Sequence, residues 1–561
     1  MVSLLVNEFS YVKRYREIVD VMIRHGFGYL VDRFGLRPVR SLRERLFGPR
    51  HIPEQILVIS EAVRLRQALT KLGVTFVKFG QILSTRYDLV PEEYINELAK
   101  LQDEVPPFGY EEAKKVVEKE FGKNLDEIFL SFNPEPIAAA SIGQVHRAKL
   151  LGGEDVAVKV MRPGVEKQIE VDLTIMMSLA KFAEKHIRES KFFNPVGFVE
   201  EFSRIIRQET DYAHEAQNAR RFYDNFAGSA TVIIPKVYDE YVSKHVLTQE
   251  YSDGIRLSDI ARIEEAGLDK KKISTDIANA YLKMIFDDGF YHADPHPGNI
   301  LVTREGKIVF LDFGMAGYVD PELREWLANL IIAIQRNDAG FLIEALTEMG
   351  LVVEGGESPM FRMKLEELIN HYYGMSSKFI DPIRFLRDLI DILIKSRGKI
   401  PANIMLLSKT LVIRDEIARN IDPEHNFAEL VEPYVKKLVE ERISPSYILK
   451  ETARTIWDFA RLAKAFPRRL NNILSKAEKG TMKFELEHRG FEALVEEMDI
   501  TSNRLSFSLI ISALIVGSSI IITTNTPPRF FGVSFLGMFG FFIAGVLGFG
   551  LVISILRSGK W

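Results

Sequence analysis

Residues 292–314 read HADPHPGNILVTREGKIVFLDFG, with a carboxylate at Asp294, a side-chain amide at Asn299 and a second carboxylate at Asp312 opening an Asp-Phe-Gly triplet. Between the amide and the triplet, ILVTREGKIVFL is rich in β-branched residues and reads as a short hairpin. Transfer of a phosphoryl group asks for these residue types. One carboxylate orients or deprotonates the acceptor, and hard oxygen ligands from Asn and Asp hold Mg²⁺ against the phosphates. Asp294 is therefore the candidate catalytic carboxylate, and Asn299 and Asp312 are the candidate metal ligands.

Working outward, Val156-Ala157-Val158-Lys159 lies on a predicted strand, where a lysine can pair with phosphates. Gly152-Gly153 precedes it as a hairpin turn. The alanine-rich run Ile137-Ala138-Ala139-Ala140-Ser141-Ile142-Gly143-Gln144-Val145 falls in register with a phosphate loop and forms, with Lys159, the candidate nucleotide-binding set. Glu250, at the end of the apolar strand VLTQ and the start of EYSDG, marks the hinge position where backbone groups would meet a base. Lys159, Asp294, Asn299 and the Asp-Phe-Gly triplet follow one another in the order used by protein kinases.

With KFGQ (Lys78, Gly80, Gln81), AAASIGQVH, VAVKV, ETDYAHEAQN (Glu209, Asp211, Glu215, Asn218), HADPHPGN and DFG all present, the chain resembles the UbiB/ADCK (aarF-domain) atypical kinase-like family over roughly residues 55–425 and the C-terminal segment. The resemblance implies an α+β, protein-kinase-like bilobal fold that binds ATP or ADP with Mg²⁺, and a role in ubiquinone or other isoprenoid-lipid metabolism. It also implies that the Lys78–Gln81 motif folds over the active site and occludes it. Lys78, Gln81 and Thr85 form a polar stripe on one predicted helix, while Asp211, Glu215 and Asn218 share a face of another. The expected pairing sets Glu215 against Lys159, with Glu209 and Asp211 against Lys78 and Gln81; the swapped pairing is open from sequence alone. Lys159 precedes these acids by fifty residues or more, so further helix must intervene.

The departures from a working protein kinase have physical content. Ala138 and Ala140 stand where glycines would let backbone amides approach phosphate, so altered nucleotide preference and suppressed phosphoryl transfer are expected. Ala293 removes an arginine that would order an activation loop. Only six residues separate Gly314 from Pro321, which leaves no room for a peptide platform. His296 replaces a lysine that would meet the transferring phosphate, and either does so weakly or caps its loop.

Leu505–Thr524 carries no charge over twenty residues, enough to span roughly 30 Å as a helix. A second uncharged run covers Phe530–Leu556, beyond Pro527-Pro528, and the two read as a transmembrane helical hairpin. Ala513 with Gly517 and Ala544 with Gly548 provide small residues at four-residue spacing for close packing. The flanking basic residues put both ends in the cytoplasm, which predicts a multi-pass cell-membrane protein with a cytoplasmic kinase-like body. Two basic segments, Lys13–Arg50 and Trp457–Arg469, suit anionic headgroups or, equally, solvated and packed helices. The absence of cysteine excludes disulfides, thiolate catalysis and Cys-ligated zinc.

The expected organisation is a helical extension over 1–130, an N-lobe with helical insertion over 131–255, and a C-lobe over 256–425. A membrane-proximal helical region over 426–500 and the hairpin over 501–561 follow. Expected partners are nucleotide, membrane lipid, a quinone-like or polyprenyl lipid and lipid-biosynthesis enzymes, with a homodimer as a candidate assembly and no nucleic acid. The function expected first is an ATPase or small-molecule kinase, and the alternative is a nucleotide-binding pseudokinase scaffold.

Overall fold

The computed structural model describes residues 2–29, 59–84, 86, 90–101, 106–187, 194–351, 358–373, 382–396, 398, 400–443, 457, 491–524, 527–530 and 533–557. Thr85, the basic residues between Arg33 and Arg50, and Trp457–Arg469 apart from Trp457 itself lie outside them. The chain divides into two compact units, Met1–Leu449 and Lys450–Trp561.

The first unit opens with helices α1 (Val2–Arg24), α2 (Glu61–Leu72), α3 (Val74–Leu83), α4 (Glu92–Leu98) and α5 (Tyr110–Phe121). A sheet follows, built on β1 (Phe129–Phe132), β2 (Ala138–Ala139), β3 (Gly143–Leu150), β4 (Asp155–Met161), β6 (Val237–Val242) and β7 (Val246–Glu250), in spatial order β1-β3-β4-β7-β6 with β2 on β3. Gly153, at φ 97°, turns the β3–β4 hairpin. Between β4 and β6 the chain inserts α6 (Val165–His186), α7 (Pro195–Glu209), α8 (Tyr212–Asn225) and the short strand β5 (Val232–Ile233). Alternation then decides the layers. Val156, Val158 and Val160 of β4 pack with Val117 and Ala113 of α5 in one core, while the opposite face of β4 looks toward α8.

The second lobe places β8 (Ile255–Arg256), α9 (Ile260–Glu265) and α10 (Lys270–Leu282) before three strands: β9 (Phe290–His292), β10 (Ile300–Val302) and β11 (Ile308–Phe310). β10 and β11 form the predicted hairpin, register Ile300↔Phe310. β12 (Ala316–Tyr318) returns antiparallel onto β9, so three of the six residues after Gly314 make a strand and a helix begins at Pro321. Helices α11 (Pro321–Arg336), α12 (Ala339–Glu348), α13 (Pro359–Tyr372), α14 (Pro382–Lys395), α15 (Ala402–Ile421) and α16 (Phe427–Ile443) complete this unit. Phe427 and Val431 of α16 pack with Leu282 and Ile383, so the expected boundary at 425/426 falls inside the first unit.

One basic residue of the N-terminal stretch serves the fold. Arg14 of α1 donates through Nε to Asp172 of α6 at 2.7 Å, and Thr75 of α3 donates to the same buried carboxylate at 2.7 Å. A second charged knot joins α5, α6 and the β6–β7 turn. His245 lies between Glu120 at 2.9 Å and Glu166 at 2.8 Å, and Lys244 also pairs with Glu166. Burial disfavours its charge, but the two carboxylates outweigh that and raise its pKa above 6.5. A neutral imidazole has one N–H and can serve only one of them. The raised value means the contribution is fully present below pH 6.5 and is lost as pH rises through the folded pKa. Melting temperature should therefore fall across that window in the wild type. His245→Gln should flatten this dependence; an unchanged slope would assign it elsewhere.

The second unit contains α17 (Phe491–Thr523), the two-residue strands β13 (Arg529–Phe530) and β14 (Val533–Ser534), and α18 (Phe535–Arg557). Thr501–Thr523 and Phe535–Ile553 are long and apolar enough to cross a membrane, and only 6% and 11% of them is buried within the protein. The second helix starts at Phe535 rather than Phe530, because Arg529 and Phe530 pair antiparallel with Ser534 and Val533. The close approach also differs from expectation. A Cβ at Gly517 would meet nothing within 4 Å, whereas one at Gly537 would lie 3.0 Å from the Ser518 carbonyl and one at Gly540 would strike Ser518 Oγ. Of the expected small residues, Ala544 is buried beside this seam and Ala513 is exposed.

Candidate functional site

Lys159 projects from β4 on the face away from the α5 core and forms an ion pair with Glu215 of α8. Its Nζ also lies 3.4 Å from Asp312 Oδ2. Glu215 Oε1 accepts a further hydrogen bond from the Phe313 amide at 3.2 Å, and Asn218, one turn along α8, donates to the Phe313 carbonyl at 2.9 Å. The Asp-Phe-Gly segment is thus clamped to the helix that holds the lysine. Burial opposes the charge on Lys159, yet Asp312 and Glu215 together raise its pKa above 10.5. Burial likewise opposes ionisation of Asp312, but Lys159 and the Gly314 amide, which donates to Oδ1 at 3.0 Å, bring its carboxyl down to about 2.

The opposite wall is organised by a residue that sequence reasoning passed over. His292 is buried; its Nδ1 accepts from the Asp294 amide at 3.3 Å and its Nε2 donates to the Asp312 carbonyl. One imidazole therefore ties the backbone of Asp294 to the backbone of Asp312, and the two bonds together need it neutral. Burial lowers its pKa, which maintains that state. The Asn299 carbonyl accepts from the Leu311 amide at 3.0 Å, which sets Asn299 beside the chain leading into Asp312. His296 uses Nδ1 to accept from the Gly298 amide at 3.1 Å and so caps this loop. Among the described residues no group of three His, Asp or Glu gathers as a closed metal cage. Asn299 with the ionised Asp312 suits instead an open magnesium site that phosphates would complete.

Glu215 and Glu209 stand against the lysines expected of them, while Asp211 and Gln81 do not meet. Lys78 of α3 pairs with Glu209 at 3.2 Å. Asp211, however, caps α8 by accepting from the Ala213 and His214 amides at 3.0 and 3.3 Å, and Gln81 donates to the Leu101 carbonyl at 3.1 Å. Asp211 is spent on the helix terminus because it starts α8 in an extended conformation, where a side-chain oxygen reaches the first free amides. Helix α3 is seated by Phe79, whose ring packs edge-on against Phe198 and Phe202 of α7 at 5.5 and 5.3 Å. Lys409 of α15, unmarked in the run MLLSKTLVI, also belongs here. Burial lowers its pKa, with Asp294 and Glu209 opposing, and its neighbour Thr410 donates to the Ala293 carbonyl at 3.3 Å. A lone lysine within an apolar helix was the available sequence signal.

The alanine-rich run is a tight hairpin, with Ala138↔Val145 and Ala139↔Gln144 in register and Ala140 N donating to Gly143 O at 2.8 Å. Ile137 is exposed at 43%, whereas Ser141, Ile142 and Gln144 are buried. Gln144 faces away from Lys159 and holds both polar backbone atoms of Phe108, at 3.0 and 3.2 Å, so only its backbone is on offer to a nucleotide. Gly143 is required for packing. A Cβ there would lie 2.5 Å from the Val160 carbonyl and collide with Tyr212 Oη. Gly143→Ala should thus lower stability by about 1–3 kcal/mol through overpacking, read as a reduced unfolding midpoint. The Glu250 carboxylate accepts from the Lys236 amide at 3.3 Å, just before β6.

Residues 100–346 match the ABC1 atypical kinase-like domain, residues 365–426 the UbiB helical domain and residues 489–557 the ABC1/UbiB kinase-like C-terminal domain. A protein from the hydrogenase 1 5′ region of Clostridium pasteurianum is 32% identical over 98% of this chain and 99% of its own length. The probable protein kinase UbiB of Marinobacter nauticus is 32% identical over 82% of this chain and 85% of its own. The structure of Rv3197 from Mycobacterium tuberculosis, solved with erythromycin, covers 69% of this chain at 24% identity and a TM-score of 0.44.

Proposed function

The chain belongs to the ABC1/UbiB atypical kinase-like family, and from that premise we propose that it is a membrane-anchored ATPase or small-molecule kinase supporting the synthesis of ubiquinone or another isoprenoid lipid. The observation that supports this most is Lys159 set between Glu215 and Asp312, with His292 joining that pair to the Asp294 loop. Lys159 holds nucleotide phosphates, and Asp294 orients water or an acceptor hydroxyl and takes its proton. Magnesium, when held by Asn299 and Asp312, supplies the charge that the phosphates need neutralised. Glu215 keeps Lys159 extended, and Lys78 with Glu209 covers the site from α3. β12 follows the Asp-Phe-Gly segment so closely that no peptide platform remains, which favours a small acceptor or water. The two apolar helices of the second unit serve as the anchor.

The test is phosphate release by the full chain with ATP and Mg²⁺, alone and with vesicles containing an anionic phospholipid, or with a phenolic compound. Slow release that these additions raise supports the proposal. Nucleotide-dependent thermal stabilisation without any release would replace it with the scaffold reading, and labelling of generic peptides would point to protein phosphorylation.

A further inference from the structure

β7 runs antiparallel to β4 with Lys159 opposite Leu247 and Ala157 opposite Gln249. The residues of the other face, Val156, Val158, Val160 and Val246, are consumed by the α5 core. Ala157, Lys159, Leu247 and Gln249 therefore share the face on which Lys159 meets Glu215 and Asp312. Gln249 is two residues along β7 from Leu247, about 7 Å nearer the expected base position at the strand's end.

Gln249 is buried at 2% exposure, and its Nε2 donates to the Leu311 carbonyl at 3.2 Å, one residue before Asp312. A carbonyl can only accept, so this bond fixes the amide with its nitrogen toward Leu311 and its oxygen turned away. That oxygen is buried and has no hydrogen-bond partner among the described residues. An aliphatic side chain would fill the same volume without stranding an acceptor, so the amide needs another reason.

We propose that Gln249 reads the nucleotide base, its Oε1 accepting from the 6-amino group of a purine, so that the cleft takes 6-aminopurine nucleotides in preference to 6-oxopurine ones. The inference rests on the nucleotide-binding reading above. Seclusion from water gives the contact its discriminating power, because a 6-oxo group would face Oε1 with a second acceptor and no solvent to separate them.

The experiment measures binding of ADP and IDP, which differ at the purine 6-position, to the detergent-solubilised full chain with Mg²⁺. Wild type should bind ADP about tenfold more tightly than IDP, and Gln249→Met should narrow that ratio to about twofold, chiefly by weakening ADP. An equal preference in wild type, or an unchanged ratio in Q249M, overturns the assignment while leaving nucleotide binding intact. Binding of neither nucleotide to wild type overturns both readings. Should Q249M not fold, N6,N6-dimethyl-ADP decides with wild type alone: it lacks the N–H donor and should bind as weakly as IDP, and binding as tight as ADP overturns the proposal.

Discussion

Asp312→Asn is expected to cut phosphate release by about 10³-fold while leaving the chain folded. The asparagine retains an oxygen for the Gly314 amide, so the Asp-Phe-Gly turn should persist. It loses the negative charge that sits 3.4 Å from Lys159 and that makes this position a ligand for a hard cation. The low pKa of Asp312, about 2, means that the charge is present throughout the neutral range, so no pH adjustment can mimic the substitution there. Steady-state phosphate release and ADP-induced thermal shift, measured together, separate lost chemistry from lost binding. Release within a few-fold of wild type would remove Asp312 from the reaction.

The second large effect is on stability. Lys159→Met should destabilise the first unit by about 3–5 kcal/mol, because it leaves the Glu215 carboxylate buried without its counter-charge. The Phe313 amide remains as a donor to Glu215 but carries no full charge. Adding Glu215→Gln to the same chain removes the stranded charge and should recover much of the loss, which makes the pair non-additive. Denaturant unfolding followed through Trp326, buried in α11 of the first unit, reports the midpoints. Equal stability of the single and double variants would show that Glu215 is neutralised by other means.

Much of this architecture is written locally. The β3–β4 hairpin is announced by Gly152-Gly153 between alternating β-branched runs, and β10–β11 by the same alternation before Asp312. The apolar spans announce themselves by length. Among the strands that sequence reading missed, β1, β9 and β12 are short and pair across intervening chain, and β6 is irregular in its register against β7. Asp211 is taken by the amides that follow it at the start of α8, a local bond that wins over the long-range one, whereas Gln81 is taken by the Leu101 carbonyl, a tertiary contact across the helical extension.

From sequence alone came the residue types and order of the nucleotide apparatus, Lys159, Asp294, Asn299 and Asp312, because phosphoryl chemistry restricts which side chains can stand there. Residue order favours Glu215 for Lys159 and Glu209 for Lys78 but leaves the swapped pairing open, and only the tertiary structure decides between them. Those acids lie close together in the chain, and the packing of α7 and α8 against different neighbours decides which way each one faces. The same holds for His292, Lys409 and Gln249. Their roles depend on burial and on what lies across the cleft, and neither quantity exists until the lobes have closed around them.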